Sequence, residues 1–405
     1  MDLDFRRPTD DEWPAFFGAM QETFIETWPP GTMERMKNLV GMARPIGGFD
    51  GDRVEATGGA YRHVMRVPGA TLPCSGITWI TVSARQRRRG ALREMMRRLQ
   101  EAGAEEGEPI AALYAAEGAI YGRFGFGVAA RTVRVKVEAR QLAALPQPAG
   151  EVVEVDPEDA RVRFPAIFDA ATANRPGVVL REAAWWDRVL HIAASPFPGW
   201  MAPRHLVYVD AGGRDRGAAV VRLQGRERGL SFDGRCRLTD LHAIDAEAAS
   251  AIWRYAGSFD LVNSVSAPMR PSDEALPFMV TDLRQVRLSQ DTEVWVHLTD
   301  PVAALQGRRY RDDGHLRFRV DDPSWPRATG TYELEISGGV ARCTPSSADP
   351  ELELGASELG AIYLGATSPH QLAAAGRIVE RVPGAVANAD RILHSAPAAW
   401  GADLW

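Results

Sequence analysis

The stretch 77–99, ITWITVSARQRRRGALREMMRRL, constrains this chain more than any other part of it. Ile77, Trp79 and Thr81 fall on one side of an extended segment and Thr78, Ile80 and Val82 on the other. This is the pattern of a strand covered on both faces. Beyond Gly90, the residues Leu92, Met95, Met96 and Leu99 recur at helical spacing, with Arg93, Arg97 and Arg98 off that stripe. A strand that runs through a tight Arg/Gly turn into a helix leaves backbone N–H groups unpaired at the helix start, where the dipole favours negative charge. Gly90 lets the backbone approach a bulky anion closely. Arginines beside a glycine are also what a solvated, charged helix start looks like. Two anions compete for the site, a nucleic-acid backbone and a cofactor phosphate.

Charge bears on that choice. The chain has 47 Lys and Arg against 53 Asp and Glu, a formal net charge of −6. Polyanion binding draws its affinity from clustered cations on a neutral or basic background, so the arginine run is a local feature. A nucleic-acid-binding regulator using Arg85 to Arg98 stays as the alternative. Cys74, Cys236 and Cys343 are far apart and odd in number, which indicates neither a disulfide framework nor a thiolate metal site. The histidines form no HExxH or HxH cluster, so no metal is expected. The first residues, MDLDFRRPTDDEW, have no basic run leading into an apolar one, and no apolar stretch reaches the ~18 residues of a membrane span. The expectation is a cytoplasmic protein with no membrane partner.

A chain of 405 residues calls for two or three cores. TDDEWPAFFGAMQETFIET predicts a helix capped at Thr9, and GDRVEATGGAYRHVMRV a strand with Gly58-Gly59 as a bulge or turn. PIAALYAAEG is a short apolar strand, AIYGRFGFG a helix start broken by glycines, and ARTVRVKVEARQL another strand. Pro, Gly and acids around LPQPAGEVVEVDPEDARV mark a linker into a second unit. That unit repeats the helix and strand order but has no Arg/Gly cradle. A third unit begins near Asp291, with HLRFRV, GTYELEI, GVARCTP and ELELGASELGAIYLG strand-like and SPHQLAAAGRIVE helical. The resulting division is 1–143, 144–290 and 291–405.

The segment ALYAAEGAIYGRFGFG comes after the arginine turn. Gln86-Arg87 leading into Arg88-Arg89-Gly90-Ala91 resembles the GNAT acyltransferase segment that wraps the pyrophosphate of coenzyme A. VSARQRRRGALREMM together with AAEGAIYGRFGFG is similar to the enhanced-intracellular-survival (Eis) acetyltransferases, over all three units and the aromatic C-terminus. The resemblance implies an α+β chain: two tandem GNAT-like acyltransferase domains, the second without a cofactor site, and a sterol-carrier-protein-like C-terminal α/β domain, assembled as a homohexamer. It implies an acetyl-CoA-dependent N-acetyltransferase acting on primary amines of a cationic, aminoglycoside-like small molecule or on lysine side chains. A lipid carrier acting through the C-terminal domain is a further alternative.

The resemblance also assigns residues. Backbone groups of Ile80, Thr81 and Val82 pair with the pantetheine arm and support the thioester oxygen, while Ile80 and Val82 side chains also suit a core. Arg88, Arg89, Gly90, Ala91, Leu92 and Arg93 form the pyrophosphate cradle, with Arg85 an ordinary surface charge. Ala116 and Glu117 contact the pantetheine, or Glu117 caps the helix that carries Tyr121. Tyr121 matches the general acid, a phenol with a reference pKa of ~10. Trp405 acts through its terminal carboxylate as general base, although the family commonly ends in phenylalanine, and the acid in Asp403-Leu404-Trp405 is displaced by one place. Cys74 has no paired base, which disfavours an acyl-cysteine route. Glu22, Glu26 and Trp28 are candidate amine contacts through charge and cation–π attraction.

Overall fold

The structure, a computed structural model, describes residues 3–405 apart from 27, 29–31, 34, 35, 37, 38, 40, 42, 195–198, 226, 229 and 230. The chain forms two compact units. One comprises Met1–Arg131, Asn174–Leu180 and Glu293–Trp405, the other Thr132–Ala173 and Arg181–Thr292.

In the first unit, β1 (Asp4–Arg6), β2 (Ile46–Asp50), β3 (Arg53–Val67), β4 (Ala70–Val82) and β5 (Ile110–Tyr114) lie side by side in that order. All neighbours are antiparallel except β4 and β5. The helix expected from Thr9 starts as a 3-10 turn, Asp10–Glu12, and continues as α1 (Trp13–Phe24). The Glu12 carboxylate accepts from the Thr9 backbone N–H at 2.8 Å, satisfying one donor of the helix start. The helix expected after Gly90 is α2 (Ala91–Glu105), whose Ala91, Met95, Met96 and Leu99 are buried.

Gly58-Gly59 does not turn the chain, since β3 runs straight through it. Thr57 pairs with Thr81 and Gly59 with Thr78, so Trp79 and Ile80 together oppose Gly58. This is a β-bulge whose extra residue lies on β4. Trp79 takes a left-handed φ of 60°, and its carbonyl accepts from Thr57 Oγ1 at 2.7 Å. A Cβ on Gly58 would stand 2.9 Å from Met95 Sδ and 3.0 Å from Ile80 Cδ1, so the glycine lets α2 close onto the bulge.

The strand β6 (Gly127–Glu138) leaves the first unit after Arg131. In the second unit it is succeeded by β7 (Glu151–Val155), β8 (Arg204–Val209), β9 (Asp215–Gln224), the small hairpin β10 (Glu227–Arg228) and β11 (Ser231–Phe232), β12 (Gly234–Ala243) and β13 (Val262–Pro271). The sheet order is β6-β13-β12-β9-β8-β7, with β12 and β13 parallel. The plan of the first unit recurs here. A parallel strand pair is joined through the helix Ala246–Gly257, and β12 shifts register between Leu238 and Asp240. The helix start has the opposite charge, however. Asp245 accepts from the Ala248 N–H at 2.8 Å, and Arg216 Nε holds the same carboxylate at 2.9 Å, with Glu247 in the first turn. A built-in carboxylate meets the positive end of this helix dipole.

The strand β14 (Arg287–Leu298) enters the first unit at Glu293 and pairs antiparallel with β5, from Val294↔Tyr114 to Leu298↔Ile110. A second sheet is built of β15 (Gly314–Asp321), β16 (Gly330–Ser337), β17 (Val340–Pro345), β18 (Leu352–Gly355) and β19 (Ile378–Glu380), ordered β17-β16-β15-β18-β19. The strand-like reading of ELELGASELGAIYLG holds only for β18, because after Gly355 the chain becomes the helix Ala356–Tyr363, whose apolar residues are buried all round. SPHQLAAAGRIVE is likewise helical only over Pro369–Ala374, and Gly376 at φ 70° turns it into β19.

Arg308 holds this domain together. It is fully buried, and its guanidinium donates to the carbonyls of Tyr363 and Leu393, the last residues of the helices Ala356–Tyr363 and Ala385–Leu393. A cation is suited to the negative ends of helices. The rings of Tyr310 and Tyr363 lie 4.8 and 5.8 Å from it. Arg308→Ala leaves both carbonyls unpaired around a void, and should cost about 2–4 kcal/mol of stability. Arg308→Lys should recover little of this, because an ammonium lacks the planar fork that reaches two acceptors. Thermal unfolding of both variants checks the prediction.

Candidate active site

The parallel strands β4 and β5 pair only at Cys74↔Ile110, Ser75↔Ala111 and Gly76↔Ala112. Beyond that point β5 keeps β14 on its other side while β4 keeps β3, and the two strands part. The edge of β4 from Ile77 to Val82 therefore faces an open fork. The side chains of Ile80 and Val82 pack into an apolar cluster with Leu92. Thr81 is buried, its Oγ1 2.6 Å from that of Thr57. These side chains are core, so the main chain is the part of this strand available to a ligand in the fork.

The arginine run sits at the open end of the fork and divides in two. Arg85 pairs with Glu55 at 3.1 Å, Arg97 with Glu94 and Glu101, and Arg98 with Glu94. Hydrogen bonds from Arg97, working against desolvation, and from Arg98 bring the Glu94 carboxyl down to about 2. Arg87, Arg88, Arg89 and Arg93 are exposed and have no carboxylate partner among the described residues. Arg88 and Gly90 take left-handed φ values of 62° and 90°, bending the run over the first turn of α2, where Ala91, Leu92 and Arg93 present their N–H groups. A Cβ on Gly90 would meet nothing within 4 Å, so the space above this turn is clear. The arrangement fits a pyrophosphate. A nucleic-acid groove is less favoured, because Arg85, Arg97 and Arg98 are already paired with carboxylates within the protein.

Ala116 and Glu117 are exposed on the loop leaving β5. Glu117 holds the N-cap position of the short helix α3 (Gly118–Tyr121), but its side chain makes no capping bond, so the capping alternative is not realised. Tyr121 ends that helix, 8% exposed among Phe124, Phe126 and Leu113. Its hydroxyl makes no hydrogen bond to a described residue. Burial, then the charge of Glu117, pushes the phenol up to about 12.

The C-terminal residue packs where the fork closes. The Trp405 ring is 5.0 Å from His63 on β3 and 4.8 Å from Tyr114 at the end of β5. Its Nε1 is 3.2 Å from where a Gly76 Cβ would stand. Trp405 and Tyr121 do not bring their rings into contact. Asp403 is buried, and its charge adds to burial in raising the Tyr114 phenol well above its usual range. Of the proposed amine contacts, Glu22 and Glu26 are exposed, and Glu26 accepts from the Trp28 indole at 2.8 Å. Cys74 is buried, and burial drives its thiol well above the ordinary value, which leaves it inert as a nucleophile.

Several residues that hold this arrangement carry no sequence signal. The segment Asn174–Leu180 is a splint between β3 and the tail. Gly177 and Leu180 N–H groups donate to Arg66 and Val64 carbonyls at 2.8 Å each, and the Trp400 N–H donates to the Pro176 carbonyl at 2.8 Å. A buried polar joint forms where Gln100 Nε2 on α2 meets His297 Nδ1 at 2.9 Å and His297 Nε2 meets Asp322 at 2.7 Å. The same Gln100 amide lies 3.4 Å from the Phe124 carbonyl, just after Tyr121. Gln100 as donor leaves His297 Nδ1 as acceptor, so the Nε2–H points at Asp322. Burial opposes the Asp322 charge, but His297, Ser324 and the Trp325 N–H outweigh it and hold the carboxyl below its usual range. These groups are 197 and 25 residues apart along the chain.

Inside the C-terminal sheet, Leu316, Phe318, Leu334, Leu352, Leu359 and Leu393 close around a space of about 20 Å³. That admits about one water and no acyl chain, so the lipid-carrier alternative is not favoured. Among the described residues, no helix is long and apolar enough to cross a membrane, and no group of His, Cys, Asp or Glu is placed to hold a metal.

Comparison with known proteins leads to the same place. Models of acetyltransferase (GNAT) domains match residues 4–129 and 177–298, and a sterol carrier protein domain matches 301–401. An uncharacterized N-acetyltransferase of Streptomyces avermitilis is 32% identical, covering 99% of both chains. N-acetyltransferase Eis of Mycobacterium tuberculosis is 32% identical over 92% of each. The crystal structure of Eis1 from Mycobacterium abscessus superposes with a TM-score of 0.84 at 26% identity, covering 99% of this chain and 100% of that one. The GNAT fold implies acetyl-CoA as co-substrate and an amine as acceptor. With two GNAT domains and a sterol carrier protein domain, the chain belongs to the Eis family of N-acetyltransferases.

Proposed function

We propose that the enzyme transfers acetyl directly from acetyl-CoA to a primary amine of a cationic, aminoglycoside-like small molecule or of a lysine side chain, within a ternary complex. The observation that supports this reading is the contact of the Trp405 ring with His63 and Tyr114, beside Gly76 where β4 and β5 stop pairing. Arg88, Arg89 and Arg93 with the N–H groups from Gly90 to Leu92 hold the pyrophosphate. Backbone groups of Ile80, Thr81 and Val82 line the arm, together with Ala116 and Glu117 from the facing loop. The Trp405 carboxylate takes the proton of the arriving ammonium. The freed amine attacks the thioester carbonyl, the C–S bond breaks, Tyr121 gives its proton to the departing thiolate, and the proton that the new amide nitrogen must lose restores the phenol. With a reference pKa of ~3.3–3.7, a terminal carboxylate is a weak base in water, so burial or the arriving cation must assist it. The buried Cys74 thiol favours this single-step route over an acyl-cysteine intermediate. The same reading gives a cytoplasmic homohexamer with domains at 1–143, 144–290 and 291–405.

Tyr121→Phe should lower kcat by about 10²–10⁴ while leaving acetyl-CoA affinity within a few-fold, the signature of a lost proton donor. Adding two glycines after Trp405 moves the carboxylate and should also lower kcat. Coenzyme A release against a panel of amines measures both, and unchanged rates in both variants would defeat the mechanism.

The pH dependence has a definite sign. An acid with its pKa raised to about 12 stays protonated across the working range. The kcat profile should therefore show no descending alkaline limb below pH ~10, the unperturbed phenol value. A fall centred near 8 or 9 would assign the proton donor to another group.

A further inference from the structure

The fork has a closed end, and its contents bear on which acyl groups the enzyme accepts. The cradle at Arg88–Arg93 comes after the C-terminal end of β4, so an arm held there must run back along β4 toward lower residue numbers. Its thioester end is then the end nearest Gly76 and Ala112, where the strands rejoin. That end is filled. The Trp405 indole is wedged edge-on between His63 and Tyr114, at interplanar angles of 63° and 75°. A Cβ on Gly76 would stand 2.4 Å from His63 Cδ2 and 3.2 Å from Trp405 Nε1, so no spare volume remains at Gly76 itself. Behind Tyr114, a Cβ on Gly401 would stand 2.1 Å from the phenol oxygen and 2.3 Å from Val294 Cγ2, so the tail backbone prevents this ring from retreating. The Trp405 Nε1–H and the Tyr114 hydroxyl are both buried without a hydrogen-bond partner among the described residues.

We propose that the Trp405 indole and the Tyr114 ring form the floor of the acyl pocket and restrict the donor to the shortest acyl-coenzyme A thioesters. This rests on the catalytic reading above, which places the thioester in the fork. The last residue then has two separable parts, a main-chain carboxylate assigned to proton transfer and a side chain that measures acyl length.

The test is a chain-length series of acetyl-, propionyl-, butyryl- and hexanoyl-CoA with one amine acceptor, on the full-length enzyme. Each methylene that a rigid pocket refuses costs about 10-fold or more in kcat/KM, so wild type should use hexanoyl-CoA at least about 100-fold less well than acetyl-CoA. Tyr114→Ala opens the floor without altering the chain end, and Trp405→Ala opens it while keeping a terminal carboxylate. Each should raise the hexanoyl-to-acetyl ratio of kcat/KM at least about 10-fold, whatever happens to the absolute rate. Coenzyme A binding by calorimetry shows that each variant is folded. A flat chain-length profile in wild type, or an unchanged ratio in both folded variants, overturns the proposal while leaving acetyl transfer intact. Failure of wild type to acetylate any amine although it binds coenzyme A would sink the catalytic reading, and the proposal with it.

Discussion

Everything at the candidate site depends on β4 and β5 ceasing to pair. Two parallel strands that separate after three residue pairs expose one edge of β4, and an unpaired strand edge invites any extended ligand that can make backbone hydrogen bonds. The bulge at Trp79 and Ile80 sits on that same stretch, where the left-handed φ of Trp79 is held by Thr57 from the neighbouring strand. On its far side β5 is kept in place by β14, so the opening is a property of the sheet as a whole.

The two GNAT-like units share a plan and differ in charge at one helix start. Both have a parallel strand pair, a connecting helix and a register shift on the first strand of the pair. What differs is the first turn of the helix. In the first unit, unneutralised arginines and Gly90 stand over free N–H groups. In the second, Asp245 and Glu247 occupy that place, and Asp245 itself caps the helix. The same helix dipole favours an external anion in one case and a built-in carboxylate in the other.

Within the first unit, the C-terminal domain brings the end of the chain to His63 and Tyr114. Arg308 ties two of its helices together, the joint of Gln100, His297 and Asp322 fastens it to α2 and to the turn after Tyr121, and Pro176 receives Trp400. Its interior is filled by side chains, which suits a bracket better than a container. Buried polar joints of this sort fix orientation because a half-satisfied network is costly.

The sequence by itself determined whatever repeats locally. The period-2 alternation of 77–82 and the 3.6-residue stripe of 92–99 are consequences of strand and helix geometry, so the strand, the turn and α2 were legible. Motif resemblance added Tyr121 and Trp405 as a pair. Only the tertiary structure decided the rest. The Glu/Leu alternation of 351–354 continues smoothly into residues that are helical, because Gly355 ends β18 and burial on all sides, not periodicity, sets the conformation of Ala356–Tyr363. Trp405 meets His63 and Tyr114, and His297 meets Gln100, across long stretches of intervening chain, and such contacts leave no local pattern to read. Side-chain chemistry is written residue by residue, whereas proximity between distant residues is produced only when the sheets close.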